Sequence, residues 1–375
     1  MKIFVFGSSI TSSYWNGAAT YYRGCYKYLA RLGHTITFAE PNAFGRQDHR
    51  DSDDFSYVDS IVYEPGRGVE AMLRRAERAD AVILHSGIGA DDDLLQPKIV
   101  ELCPYSLVFF WDVDAPATIA QLQSDPGHPL LAGMRKFDAI FTYGGGPVIR
   151  EAYESLGARA YYSIYNGLDV ETHYPVPASA ALACDLAFVG NRLPDREQRV
   201  QELFLEAAKL APGKSFILGG EGWGDKALPP NVRYIGHVPT GLHNRVNCSA
   251  GMVLNVNRSS MASSGYSPPT RIFEAAGAGA CLLCDEWPGI DDFFEPGKEL
   301  IVVRTAQDVA DAVSRYDAAA RRRMGNAFCA RALRDHTYAR RAQEAHNALF
   351  ECMARRDAAH ATGISSSSVM SGEAA

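Results

Sequence analysis

"HYPVPASAALACDLAFVGNRLPDREQR", residues 173–199, contains a change of character on which the fold depends. Its first part, 173–184, has Pro175, Pro177 and a run of small residues, the composition of a connecting segment. Its second part opens with an apolar run, passes through Gly190 and Asn191, and enters a charged stretch behind Pro194. That order reads as strand, loop and helix start.

The same order recurs on both sides. Upstream stand "KIFVF" (2–6), "TITFAE" (35–40), "SIVYE" (60–64), "AVILH" (81–85), "LVFFWD" (107–112), "AIFTY" (139–143) and "YYSIYN" (161–166). Downstream stand "DLAFVG" (185–190), "SFILGG" (215–220), "VRYIGH" (232–237), "GMVLNVN" (251–257), "ACLLCD" (280–285) and "ELIVVR" (299–304). Helical patterns fit between most of them. In 17–34, for example, Tyr21, Tyr22, Cys25, Tyr28, Leu29 and Leu32 recur at helical spacing and Gly33 supplies the stop. Continuous apolar strands separated by amphipathic helices predict parallel sheets covered on both faces. The expected fold class is therefore α/β, with two Rossmann-like domains. Ligands of such sheets bind beyond the carboxyl ends of the strands, so the two domains are expected to face each other across a cleft. The boundaries read as 1–176, 177–357 and a Ser-rich disordered tail, 358–375.

Composition narrows the partners. The chain has 375 residues, enough for two domains. A net charge of −7 gives no global attraction to nucleic acid or to a membrane surface, so an anionic ligand needs a local site. No segment reaches the roughly 20 apolar residues of a membrane span. The apolar run at the N-terminus is too short for a leader peptide. Eight cysteines without framework spacing suggest reduced thiols and a cytoplasmic location. Cys281 and Cys284 form a C-x-x-C, but inside an apolar strand, where core packing is the expected role. Oligomeric state is not readable.

The strand ends supply the candidate site. The loop 7–17 lies between strand and helix without a G-x-G-x-x-G or P-loop pattern. Gly17 is its candidate for close approach to a ligand; a plain connection is the alternative. Tyr14 and Trp15 beside it are candidates for stacking on a sugar or an aromatic acceptor, whereas Tyr21 and Tyr22 fit the core face of the helix. His85 ends a strand and suits a ligand contact or a general base, or a structural role. Asp112 and Asp114 form a D-x-D: contact with an acceptor hydroxyl, a metal–diphosphate site and a helix cap all fit that spacing. Arg192 and Arg196 follow a strand end and suit phosphate oxygens, while Arg199 falls on the helix surface. Pro268 and Pro269 suit a helix start, and Arg271 and Glu274 share one face near it. A diphosphate on that helix N-terminus, with ribose hydroxyls donating to Glu274, accounts for a carboxylate among small residues. A surface Arg–Glu pair is the alternative.

At these residues the sequence resembles the GT-B fold glycosyltransferases, and most closely the CgeB-like (spore-maturation) glycosyltransferase group-1 proteins. The resemblance rests on "DLAFVGNRLPDR", "GGEGWG", "NVRYIGHVP", "GMVLNVNRSS" and "RIFEAAGAGACLLCDEWPGIDDFFEPGKELIVV", in that order over 185–304. Weaker landmarks in the first half are "NGAATYYRGCYKYLARLGH", "WDVDAP" and "YNGLDVETHYP". The resemblance implies GT-B architecture, a nucleotide-sugar donor held by the second domain and an acceptor by the first. It implies a hexosyltransferase-like enzyme without metal or cofactor, using a UDP-, GDP- or dTDP-linked sugar as co-substrate and a small-molecule or glycan acceptor. Glu274 matches the second Glu of the family's E-x7-E, the ribose contact; the first falls on Tyr266, a departure at the donor sugar. Arg192, Arg196 and Arg271 fall in the diphosphate region, Gly220 and Glu221 in the "GGEGWG" segment, and His237 and Val238 in the base-contacting segment. His85 falls where relatives keep a sugar-contacting histidine. A nucleotide-sugar-binding protein without turnover and a nucleotide-sugar epimerase are the alternatives.

Overall fold

A computed structural model of the chain describes residues 1–14, 16–51 and 55–369, with side chains placed through residue 359. All of the apolar runs become strands. In the first half these are β1 (Lys2–Phe6), β2 (Thr35–Pro41), β3 (Asp59–Tyr63), β4 (Ala81–His85), β5 (Leu107–Asp112), β6 (Ala139–Thr142) and β7 (Tyr161–Ser163). In the second they are β8 (Cys184–Val189), β9 (Phe216–Gly219), β10 (Val232–Tyr234), β11 (Ala250–Asn255), β12 (Leu282–Asp285) and β13 (Ile301–Val303). They form a seven-stranded sheet, β3-β2-β1-β4-β5-β6-β7, and a six-stranded sheet, β10-β9-β8-β11-β12-β13. Every pairing in both is parallel. The chain therefore has the expected α/β fold with two Rossmann-like domains.

Each sheet has one point at which strand order reverses, between β1 and β4 and between β8 and β11. Connections leave in opposite directions there, which opens a crevice at the carboxyl ends. In the second sheet Met252 and Val253 of β11 align with Leu186 and Ala187 of β8. Gly190, just past β8, therefore lies on that crevice. Leu186, Phe188, Phe204, Leu218 and Leu254 pack one face of this sheet. Ile272, Phe273, Leu282 and Phe294 belong to a separate buried cluster that includes Val253 of β11. Burying one such side chain contributes roughly 1.5–3 kcal/mol, so these clusters hold the strand ends in place.

The chain divides into two compact units, one of 1–143, 150–164 and 341–375, the other of 144–149 and 165–340. This differs from a single boundary at 176/177. Residues 144–149 join the second unit because Gly145 N donates to Tyr266 O at 2.9 Å. The last helix, Tyr338–Val369, belongs to the first unit from Arg341 onward. Its Ala342, Ala345, Ala348, Leu349 and Cys352 recur on one face and are buried. His346 on this helix lies 2.9 Å from His34, and Arg355 Nη2 donates to the Tyr162 hydroxyl at 3.0 Å. The segment expected to be disordered from 358 is helical to Val369; its end, 370–375, lies outside the described residues. No helix among the described residues is long and apolar enough to cross a membrane.

Candidate functional site

In the second unit, the expected donor residues gather at the carboxyl ends of β8, β9 and β10 and at the start of helix Thr270–Gly277. The backbone there is unusually close. Gly190 N donates to Gly219 O at 2.8 Å, Gly220 N to Gly236 O at 2.7 Å, and Arg192 N to Glu221 O at 2.8 Å. Gly220 has φ of +119° and faces the Gly190 carbonyl, a position no side chain can share. Trp223 and Tyr234 seal the turn, the indole donating to Gly190 O at 2.7 Å and the hydroxyl to Gly220 O at 2.9 Å.

Arg196 and Arg271 converge on this turn. A Cβ on Gly190 would lie 3.3 Å from Arg271 Nη1 and 3.4 Å from Arg196 Cζ. Arg196 Nη2 donates to Asn191 O at 2.5 Å, but its Nε is buried with no hydrogen-bond partner among the described residues. Burial and the Arg271 charge pull Arg196 down to about 9. Two guanidiniums side by side, one with an unmet donor, form a cradle that an anion would satisfy. Pro269 opens the helix and no described side chain caps its first turn, so the N-terminal dipole adds to the same field.

Arg192 does not join them. Its Nε contacts Glu197 at 2.8 Å and its Nη1 contacts Asp225 at 2.9 Å, so two carboxylates already neutralise it. Arg199, expected on the helix surface, instead pairs at 2.6 Å with Asp285, which is 1% exposed. Asp285 also accepts from Asn257 N at 2.9 Å and Asn255 Nδ2 at 3.1 Å, which ties the end of β12 to that of β11. Glu221 and His237 form an exposed pair at 3.7 Å, and Val238 is buried.

Glu274 lies one turn into the helix and is 12% exposed on its side chain. His243 Nδ1 stands 3.3 Å from one oxygen and His173 Nε2 4.0 Å from the other. Burial acts to raise its pKa, but the His243 hydrogen bond and the charges of His243, His173 and Arg271 outweigh it and hold it at about 2. It is not a surface Arg–Glu pair. Neither histidine emerges from the sequence reading. His173 sits in the stretch read as a linker, yet is 3% exposed; His243 sits in helix Thr240–Ser249 at no motif position. The paired prolines after His173 pointed toward a loop, and no periodicity marked its burial.

Tyr266 occupies the left-handed region, with φ of +45°. Its N donates to Pro288 O at 2.8 Å, and its ring fills the space that a Cβ on Gly146 or Gly289 would take. It acts as a wedge between two loops.

The first-unit candidates separate. His85 is 1% exposed among Tyr22, Tyr26 and Trp111. Its Nδ1 faces Trp111 O at 3.1 Å and its Nε2 faces the Tyr26 hydroxyl at 2.6 Å. Burial pulls it down to about 3, so it stays neutral with both nitrogens engaged. This corrects its reading as a base: it is a core residue. Asp112 is corrected likewise. It is fully buried and accepts from Ser86 Oγ at 2.7 Å, Asp114 N at 2.8 Å, Thr118 Oγ1 at 3.0 Å and the Tyr153 hydroxyl. These four donors leave it no reach toward a substrate. Asp114 is half-buried at the N-cap of helix Ala115–Ser124 and makes no side-chain cap bond. Gly17 is exposed, and a Cβ added there would meet nothing within 4 Å among the described residues. The loop before it is closed on itself: Asn16 Nδ2 donates to Ser9 O at 2.7 Å and Ser12 O at 3.1 Å, and buried Glu40 accepts from Ile10 N at 2.6 Å. Tyr14 stacks on His49 at 3.9 Å between ring centroids; Tyr21 and Tyr22 are core; Trp15 lies outside the described residues.

Residues 196–347 match the family described as glycosyl transferase-like. Arg196, Gly220, Glu221, His237, Val238, His243, Tyr266, Arg271 and Glu274 fall within the match, and Arg192 and His173 precede it. No curated protein matches the chain. Among solved structures, an alpha-glucosyltransferase in complex with UDP-glucose and DNA containing an abasic site is similar, with a TM-score of 0.68, 14% identity, and 93% of this chain and 99% of that one covered. Anabaena HepE in complex with UDP-glucose follows, with a TM-score of 0.62, 14% identity and coverage of 94% and 100%. Sucrose-phosphate synthase from Thermosynechococcus elongatus has a TM-score of 0.62, 12% identity and coverage of 95% and 100%. These likenesses extend over both units and concern the fold.

Proposed function

We propose that this chain is a glycosyltransferase that moves a sugar from a nucleoside-diphosphate sugar to an acceptor hydroxyl, with the donor nucleotide held by the second unit. The convergence of Arg196 and Arg271 on Gly190, one turn ahead of the ionised Glu274, carries this reading. The diphosphate lies on the two guanidiniums and the helix start, and the ribose hydroxyls donate to Glu274. As the glycosidic bond breaks, negative charge grows on the leaving diphosphate, and the paired arginines stabilise it where it develops. The diphosphate needs no metal in this scheme. Of the two carboxylates in the D-x-D, Asp114 is the one assigned here to the acceptor proton. The family match over 196–347 supports sugar transfer as the reaction class. Two of the similar structures hold UDP-glucose, which makes UDP-sugars the first donors to try.

The test is calorimetric titration with UDP, together with UDP release from a panel of nucleotide sugars and acceptors. Charge-assisted hydrogen bonds are worth about 1.5–3 kcal/mol, so Arg196→Ala and Arg271→Ala should each weaken UDP binding roughly 10- to 100-fold. Glu274→Ala should weaken it comparably. Unchanged affinity in all three variants would sink the site. Binding without turnover across the panel would favour a non-catalytic nucleotide-sugar-binding protein. Tyr266 motivates that second reading, because its ring serves as a wedge where the resemblance expects a carboxylate.

A further inference from the structure

His173 and His243 approach Glu274 from different segments, and each presents the nitrogen that its other hydrogen bond leaves bare. His243 Nε2 lies 3.1 Å from Val238 O. A carbonyl only accepts, so Nε2 donates to it, and Nδ1 is the nitrogen that faces Glu274. His173 Nδ1 lies 2.9 Å from Thr172 Oγ1, whose hydroxyl donates to Asp169 O at 3.3 Å. Thr172 therefore accepts from Nδ1–H, and Nε2 is the lone pair. That Nε2 is buried with no hydrogen-bond partner among the described residues, on a side chain 3% exposed. Two imidazole nitrogens, one of them unsatisfied, and a buried carboxylate thus converge.

A carboxylate held between two imidazoles, one nitrogen of which has no hydrogen-bond partner among the described residues, draws positive charge to its centre. A metal ion is one source, and the surroundings suit one. The three donor atoms lie within 4.8 Å of one another, and a tetrahedral ion at about 2.0–2.1 Å from its ligands needs donors about 3.3 Å apart. Side-chain rotation covers the difference. Outer hydrogen bonds that fix ring tautomer and orientation are the usual support of metal-binding histidines. Two imidazoles with one carboxylate select a first-row transition ion over Mg²⁺ or Ca²⁺, which take oxygen ligands.

We propose that His173, His243 and Glu274 form a binding site for a divalent transition ion, which competes with the nucleotide for the Glu274 carboxylate. The competition rests on the ribose reading of Glu274; the metal site does not. The ion takes no part in neutralising the diphosphate in this reading. It acts as an occupant that must leave before ribose can bind.

The full chain, stripped with a chelator, is titrated with Co²⁺ and followed by visible absorption, with Zn²⁺ as the displacing ion. One equivalent of Co²⁺ should give ligand-field bands that Zn²⁺ abolishes and excess Mg²⁺ leaves. His173→Phe and His243→Phe, checked for folding by circular dichroism, should each weaken binding by more than the roughly 10- to 100-fold that loss of an outer-shell partner causes. X-ray absorption of the zinc-loaded protein reads the ligands without any variant and should give imidazole nitrogen and carboxylate oxygen at about 2.0–2.1 Å. Absence of Co²⁺ and Zn²⁺ binding, affinity unchanged in both variants, or sulfur ligation overturns the site. Saturating Zn²⁺ should raise the Kd for UDP; an unchanged Kd overturns the competition. Failure of UDP to bind the stripped protein defeats the nucleotide reading alone and leaves the metal titration standing.

Discussion

His85 and Glu274 show how environment divides two residues that the sequence treats alike, each an ionisable group at a predicted strand or helix end. His85 is enclosed by aromatic rings and its pKa falls to about 3, mainly through burial. The unfolded chain binds a proton on this residue below about pH 6.5, whereas the folded protein does not until about pH 3. Its contribution is therefore complete above the unfolded value and is lost as pH falls through that window, at about 1.4 kcal/mol per pH unit. Denaturant unfolding between pH 7 and pH 5 should show that decline, and NMR should find the His85 ring neutral throughout. A His85 ring that titrates near pH 6.5 in the folded protein would contradict the burial argument. Glu274 runs the other way on the same scale. Its folded value of about 2 lies below the usual carboxylate value, so its contribution is complete above about pH 4.5 and is lost only as pH falls toward 2.

At the scale of elements, the loops around Tyr266 are tightly constrained. Gly145 and Gly146, Tyr266 itself, and Pro288 and Gly289 come from three separated segments and meet at one ring. A non-glycine residue at φ of +45° costs about 1–3 kcal/mol, so the surrounding contacts must over-determine it. Gly146 and Gly289 also have positive φ, +85° and +83°, and no room for a Cβ. Gly146→Ala and Gly289→Ala should each lower stability by about 2 kcal/mol or more, because backbone strain and the clash with Tyr266 add. Thermal and denaturant unfolding check this; a change below about 0.5 kcal/mol would show that the loops relax. Gly190 differs. A Cβ there meets the Phe188 ring at 3.0 Å and crowds both arginines, so Gly190→Ala should reach UDP affinity as well as stability.

At the scale of the whole molecule, the chain's two units are not two halves of its sequence. The final helix belongs to the first unit from Arg341, where its apolar face is buried. Deleting 341–375 removes the burial of Leu349, Cys352 and three alanines, several kcal/mol in total at roughly 1.5–3 kcal/mol per large apolar side chain. Hydrogen exchange of the truncated chain should lose protection in β1–β7 and keep it in β8–β13. Equal loss in both sheets would contradict this assignment.

Much of this was legible without coordinates. Apolar runs of strand length between helical patterns determined both parallel sheets, because a strand buried on both faces has no freedom to be polar. Small residues around Glu274, and glycines at strand ends, marked close backbone approach, because side-chain volume is a local property. What the tertiary structure decided was contact between distant segments. Asp112 and His85 stood at the right strand ends for chemistry, yet folding surrounded them with donors and rings from other elements. Arg192 and Arg196, four residues apart, looked equivalent, but Glu197 and Asp225 pair with Arg192, whereas Arg196 keeps a buried Nε without a partner among the described residues. His173 and His243 carried no motif, since their approach to Glu274 depends on where a loop and two helices meet. Fold class follows from periodicity along the chain; the identity of a site follows from which side chains are brought within a few ångströms, and periodicity does not encode that.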